Sequence, residues 1–196
     1  MPASRDRAEL RRELLERRGA LAQREARDAA RAAALRRALQ RLRPASVGAY
    51  CATRGEFDAL PLLAELAAAG SPRLALPVVD PPTRGMRFAA WRPGEALRSG
   101  PYGIAEPQCA DTTLVPELLL VPCVGFVDIG LRLGYGGGYY DRYLAGRGDV
   151  FTIGLAFDDC RLDELHAEPH DHLLDLILTE TAAYGLQAAI MADDDA

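Results

Sequence analysis

Lysine is absent from all 196 positions, so the 23 basic side chains are all arginine. That excludes a Schiff-base amine, a lysine general base and the lysine of a P-loop. Cysteine is sparse, and Cys51, Cys109, Cys123 and Cys160 form no CxxC pair, which points to a reduced cytoplasmic chain rather than a disulfide scaffold. No window is long and apolar enough to span a bilayer, and the arginine-rich start carries no signal-type apolar run, so no membrane partner is expected. No HExxH occurs. His166, His170 and His172 sit within seven residues interrupted by Pro169, with no evident fourth ligand, and read as a structural loop rather than a zinc site. A net charge of −5 argues against a general nucleic-acid binder.

What is present is the composition of a soluble globular protein: hydrophobic residues at 49% and a mean hydropathy near zero, enough for a sizeable core. We expect one domain over residues 1–190, then a disordered acidic tail over 191–196 carrying Asp193, Asp194 and Asp195.

Taken in order, residues 4–42 predict two amphipathic helices, the first capped by Ser4. Interleaved Glu9, Glu13, Glu16, Glu25 and Asp28 largely neutralise their arginines, which makes a solvated face the default over a basic arm for RNA. Arg7 and Arg11, four apart, share a face and could clamp an anionic phosphate chain. Residues 47–52 predict the first core strand, and Asp58 is placed to cap a helix over 59–69. Glu56 then falls in a loop at the C-terminal end of a strand, where ligands of open α/β sheets bind; the alternative is a surface glutamate. Strands are predicted over 73–79 and 86–91, and residues 92–117, with four prolines, read as mostly irregular. Strands over 150–157 and 173–180 flank a short helix expected at 158–165. Asp175 interrupts the apolar run of the last strand. A carboxylate there is expensive to bury unpartnered, so it is either a ligand or a paired structural group.

Residues 118–144, LLLVPCVGFVDIGLRLGYGGGYYDRYL, hold the most information. Leu118, Leu119, Leu120 and Val121 read as a strand covered on both faces, ended by Pro122. Gly134, Gly136, Gly137 and Gly138 then precede a helix start at Tyr139. Bare amides at that position suit a phosphate, the alternative being a flexible lid or a tight turn with no ligand. Gly137-Gly138-Tyr139 lacks the Gly-Lys-Ser/Thr of a P-loop, and Tyr139 occupies the position where GxGxxG requires glycine. Alternating strands and helices after a helical pair give an α/β domain with a mostly parallel sheet.

These residues resemble the 5-formyltetrahydrofolate cyclo-ligase family over nearly the whole chain. The specific part is RLGxGGGYYD, from Arg132 to Asp141. Collinear with it are Arg7 to Arg11, Gly55-Glu56-x-Asp58, Tyr102-Gly-Ile-x-Glu-Pro107, Ile153-Gly-Leu-Ala-Phe157, Glu168-Pro-His-Asp171, Leu174-Asp175 and Thr179-Glu180. The resemblance implies a three-layer α/β fold similar to the ribose-phosphate isomerase and CoA-transferase group. It implies Mg²⁺- and ATP-dependent closure of 5-formyltetrahydrofolate to 5,10-methenyltetrahydrofolate; beside that we expect no nucleic-acid partner, from the net charge, and a monomer. By the same resemblance ATP would meet Arg7, Arg11, Arg132, Leu133, Gly134, Tyr135, Gly136, Gly137, Gly138, Tyr139 and Tyr140. The folate would meet Glu56, Tyr102, Tyr135, Gly136, Gly137, Gly138 and Tyr139, and Asp141 and Asp175 would hold Mg²⁺. No nucleophile or base is assigned, because the folate's own formyl oxygen and N10 supply the attacking atoms.

The chain departs from the family pattern at Arg7, where lysine is usual, Cys123 (glycine), Val127 (aspartate), Tyr135 (arginine) and Cys160 (glutamine). Cys123 reads as a packed thiol rather than a nucleophile. The rival expectations are a diverged paralogue that keeps only the nucleotide loop, and an RNA-binding or regulatory module using the arginine-rich helices.

Overall fold

Asp6 accepts a hydrogen bond from the Ala8 N–H and starts helix α1, Arg7–Gly19, in a computed structural model that describes residues 6–109 and 113–192. Ser4 and residues 193–196 lie outside the described residues. Helix α2, Arg24–Leu42, completes the expected helical pair. Strand β1 covers Ser46–Gly48 and helix α3 Leu60–Ala68, where Asp58 Oδ1 accepts from the Leu60 N–H at 3.0 Å. Strand β2, Arg73–Asp80, turns back into β3, Gly85–Trp91. The stretch expected to be irregular instead holds a small hairpin, β4 (Leu97–Ser99) with β5 (Ala105–Pro107). Its prolines fall in the turn and at the hairpin's end, where no N–H is needed for pairing.

Strand β6, Leu118–Pro122, leads into a second small hairpin, β7 (Gly125–Phe126) and β8 (Arg132–Leu133). Helix α4 is Tyr139–Leu144, and strands β9 (Phe151–Leu155), β10 (Leu176–Leu178) and β11 (Ala183–Tyr184) finish the sheet. The helix expected over 158–165 is only one 3-10 turn, Asp158–Cys160. The Leu162 N–H is taken by the Phe126 carbonyl at 2.8 Å, so the chain is captured by the β7–β8 hairpin before a helix can propagate. Strand β10 starts later than expected because the Asp175 N–H bonds to Thr152 Oγ1 and its carbonyl accepts from Gln187, which removes both from the ladder.

The seven strands run in the order β11-β10-β9-β6-β1-β2-β3. The five inner strands are parallel, and β3 and β11 pair antiparallel at the edges. Leu118 and Leu120 pack towards Leu35, Leu39 and Leu63 of α2 and α3, while Leu119 and Val121 pack towards Tyr143 and Leu144 of α4. Helices therefore cover both faces, in three layers, and the period of two along a doubly covered strand explains the unbroken apolar run. Among the described residues no helix is long and apolar enough to cross a membrane. The parallel strands point their C-terminal ends one way, and the loops after β1, β6, β9 and β10 gather there, where open α/β sheets bind ligands.

Candidate functional site

The glycine loop joins β8 to α4. Its Gly136 and Gly138 adopt φ values of +91° and +64°, a region L side chains enter only with strain. Two arginines hold the loop by its carbonyls: Arg11 Nε donates to Gly134 at 2.7 Å and Arg142 Nη2 to Gly137 at 2.7 Å. Among the described residues the N–H groups of 134–138 donate to no protein acceptor. A Cβ on Gly136 would lie 3.3 Å from Arg11 Cζ, so the guanidinium is laid along the loop. Both of its Nη groups are without a hydrogen-bond partner among the described residues. Uncovered amides beside an uncommitted guanidinium make a local excess of donors, the chemistry of an anion cradle.

Over this loop stands Tyr102, 69% exposed and held at φ +60°, with its hydroxyl 2.8 Å from that of Tyr139. The two rings meet edge to face with centroids 6.0 Å apart, and the Arg142 guanidinium lies over the Tyr139 ring. Flat, exposed aromatic surface beside bare amides is suited to stacking against a planar heterocycle.

Glu56 lies deeper, 9% exposed. Its Oε1 accepts from the Tyr135 hydroxyl at 2.7 Å, and Oε2 accepts from the Thr53 N–H at 2.7 Å and the Thr53 hydroxyl at 3.2 Å. Arg24 fixes the same loop by donating to the Glu56 carbonyl. Behind it the Tyr140 hydroxyl is buried with no hydrogen-bond partner among the described residues. Burial, with the Glu56 charge, pushes that phenol and those of Tyr50 and Tyr135 upward, so all three keep their protons. An orphaned hydroxyl of this kind costs free energy unless a ligand or water satisfies it. Burial pushes the Cys123 thiol up to about 12, the behaviour of a packed thiol rather than a nucleophile.

At the other end of the loop Asp141 pairs with Arg132 at 3.0 Å through Oδ1, which also accepts from the His172 N–H at 3.3 Å. Asp175 Oδ2 accepts from the N–H and hydroxyl of Thr152, at 2.8 and 2.7 Å. Each carboxylate has one oxygen, Oδ2 of Asp141 and Oδ1 of Asp175, without a protein partner among the described residues. Both carboxylates act on the half-buried His172 ring, whose pKa is nevertheless lowered by burial and by Arg132. Two unshared carboxylate oxygens, one in the first turn of α4 and one just before β10, fit a hard divalent cation that completes its shell with phosphate and water.

Arg7 is brought to this end, but its guanidinium donates to Asp171 and to the His166 carbonyl. A phosphate would therefore share Arg7 with a carboxylate already bound to it. Glu168, His170 and Asp171 bring ligand atoms within 4.8 Å of one another, and Arg7 holds two of the three through its contacts with Glu168 and Asp171.

Arg18 and Arg142 are residues of the candidate site that sequence reasoning passed over. Arg18 lies on the same face of α1 as Arg7 and Arg11, seven residues beyond the latter, so helical spacing was the available signal. It is 2% exposed and donates to the carbonyls of Arg54 and Cys123, each at 3.1 Å, and to the Tyr135 hydroxyl at 2.5 Å. Further along, Arg27 and Arg31 bind Glu180 after β10. Arg7, Arg11, Arg18, Arg27 and Arg31 thus fasten segments at one end of the sheet, Arg27 and Arg31 sharing Glu180.

Residues 3–180 match the model of the 5-formyltetrahydrofolate cyclo-ligase family. The chain is 32% identical over 146 residues to 5-formyltetrahydrofolate cyclo-ligase of Escherichia coli (strain K12), covering 71% of this chain and 80% of that protein. It is 34% identical over 143 residues to the same-named protein of Mycolicibacterium smegmatis, covering 68% and 73%. Among solved structures, 5,10-methenyltetrahydrofolate synthetase of Aquifex aeolicus superposes with a TM-score of 0.78 at 28% identity, over 92% of this chain and 93% of that one. The Mycoplasma pneumoniae synthetase superposes with a TM-score of 0.72 at 26% identity, over 90% and 99%.

Proposed function

The chain belongs to the 5-formyltetrahydrofolate cyclo-ligase family, and from that membership we propose that it closes 5-formyltetrahydrofolate to 5,10-methenyltetrahydrofolate at the expense of ATP. The observation that carries this reading is the glycine loop, whose amides and the Nη groups of Arg11 have no acceptor among the described residues. Both are donors awaiting an anion, and the γ-phosphoryl group is the anion the reaction brings.

A formamide oxygen is a poor leaving group. Transfer of the γ-phosphoryl onto it, releasing ADP, creates a good one. N10 of the same folate then attacks the activated carbon and gives up its proton, the C–O bond breaks, and inorganic phosphate departs carrying that proton as the ring closes. Because the substrate supplies both nucleophiles, the protein's work is positioning and charge neutralisation. Residues 132–140, with Arg7 and Arg11, hold the nucleotide in this reading; Glu56, Tyr102 and residues 135–139 hold the folate. Asp141 and Asp175 would hold Mg²⁺, which would neutralise phosphate charge. Residues 1–190 act as one domain, in the cytoplasm and as a monomer. The sheet supports the first point, since its strands come from Ser46 to Tyr184 and its covering helices begin at Arg7.

The test is the rise of methenyl-folate absorbance in the near ultraviolet with purified protein, 5-formyltetrahydrofolate, Mg²⁺ and ATP. We expect a rise that requires all three and is abolished in Asp141→Ala. A flat trace with folded protein and several nucleotides would sink the proposal.

A further inference from the structure

The Glu56 carboxylate is held by an unusual chain of donors. Arg18 has no acceptor atom and cannot lose its proton, so the bond of 2.5 Å to Tyr135 runs from guanidinium to phenol oxygen. The phenol proton is thereby directed away from Arg18, towards Glu56 Oε1 at 2.7 Å. The direction of both bonds is fixed by chemistry, not by an assigned hydrogen. A second cation, the exposed Arg54 guanidinium, lies 5.5 Å from the centroid of the same ring, with Arg18 at 5.8 Å. Positive charge at the ring and at its oxygen strengthens the phenol as a donor, and cooperative polarisation passes that on to the carboxylate. Thr53 occupies the other carboxylate oxygen from the opposite side, so the plane of the carboxyl group is set at both ends.

We propose that Arg18, Tyr135 and Glu56 form a one-way hydrogen-bond relay that presets the substrate-facing carboxylate as an acceptor. In this relay Arg18 is a positioning residue for recognition of the folate, which it does not touch. The proposal rests on Glu56 being the folate-binding carboxylate. It also accounts for the departure at Tyr135: a positive charge is not lost from this place but withdrawn to α1 and delivered through a phenol. A carboxylate preset in this way takes a ligand edge made of N–H donors, as in an amino-substituted pyrimidinone, and disfavours one that presents a carbonyl or carboxylate.

The alternative is that Arg18 only fastens the Cys123 and Arg54 carbonyls. The experiment that separates the two is calorimetric titration of 5-formyltetrahydrofolate and of ATP into wild type, Tyr135→Phe, Arg18→Met and the double variant, with kcat and KM measured in parallel. Tyr135→Phe leaves the fastening bonds of Arg18 in place and removes the hydroxyl that links Arg18 to Glu56, while keeping the ring and backbone of a residue that also faces the ligands. We expect it to weaken folate binding on the order of tenfold, the loss of a charge-assisted bond, and ATP binding by much less, because the phenyl ring and the loop backbone are kept. Arg18→Met should do the same, and the double variant should bind no more weakly than the weaker single, since residues acting in one chain are not additive. Arg18→Lys should recover part of the affinity. If Arg18→Met does not fold, Tyr135→Phe and Arg18→Lys decide the matter. Unchanged folate affinity in Tyr135→Phe, or losses that multiply in the double variant, would overturn the relay while leaving the cyclo-ligase reading intact. Wild type that neither binds folate nor makes product would overturn both.

Discussion

Arg11 carries the most direct consequence at the scale of single residues. Its Nε is committed to Gly134 and its Nη groups are not, so Arg11→Ala removes both a loop tie and an anion donor. We expect KM for ATP to rise at least tenfold, with KM for the folate changed by less than about threefold, as measured by initial rates at saturating partner substrate. Asp171 makes a pH prediction. Burial alone would raise its carboxyl, but the hydrogen bond from Arg7 and the Glu168 N–H outweigh that and hold it below the ordinary carboxylate range. A depressed pKa in the folded state means that unfolding takes up protons in acid. The stabilisation is therefore complete above about pH 4 and lost as pH falls through the folded value. Urea midpoints of Asp171→Asn should lie below wild type at neutral pH and converge with it in strong acid.

Among the elements, β1 shows how closely the sheet is packed where it meets the site. A Cβ on Gly48 would sit 2.4 Å from a Leu119 methyl, 2.8 Å from Pro116 and 2.9 Å from Phe88. Gly48→Ala should therefore cost about 1–3 kcal/mol by overpacking, read as a lower denaturant midpoint with an unchanged m-value. The 3-10 turn at 158–160 and the late start of β10 make the same point in reverse. Local pattern favoured helix and strand there, and contacts from Phe126, Thr152 and Gln187, distant in sequence, overrode it. Helices α1 and α2 behave as predicted from spacing, because an amphipathic period acts within a few turns and needs no distant partner.

Over the whole molecule, the site joins side chains of α1 and α4 to the loops after β1, β4, β8 and β9, so a ligand that bridges them binds only the folded chain. ATP with Mg²⁺ at about a hundredfold its Kd should raise stability by about 2.7 kcal/mol. For a chain of this size that is a rise in Tm of roughly 5–10 °C in a thermal melt. Asp141→Ala should show little of that rise if the cation is held there.

The sequence by itself determined the doubly covered strand at Leu118, the helical pair, the glycine loop and, through RLGxGGGYYD, the family. Each of these rests on residues close together along the chain, where period, propensity and motif act. It also pointed to Arg11, Tyr102 and Glu56, which the fold brings to the same end of the sheet. Tertiary structure alone decided what those residues touch: that Arg7 is already paired with Asp171, that Arg18 reaches Glu56 through Tyr135, and that Arg142 closes the glycine loop. The bonds through Arg7 and Arg18 join positions separated by 36 to 164 residues. No local pattern encodes such a pairing, because an arginine on a helix has the same propensity whichever loop the fold delivers to it.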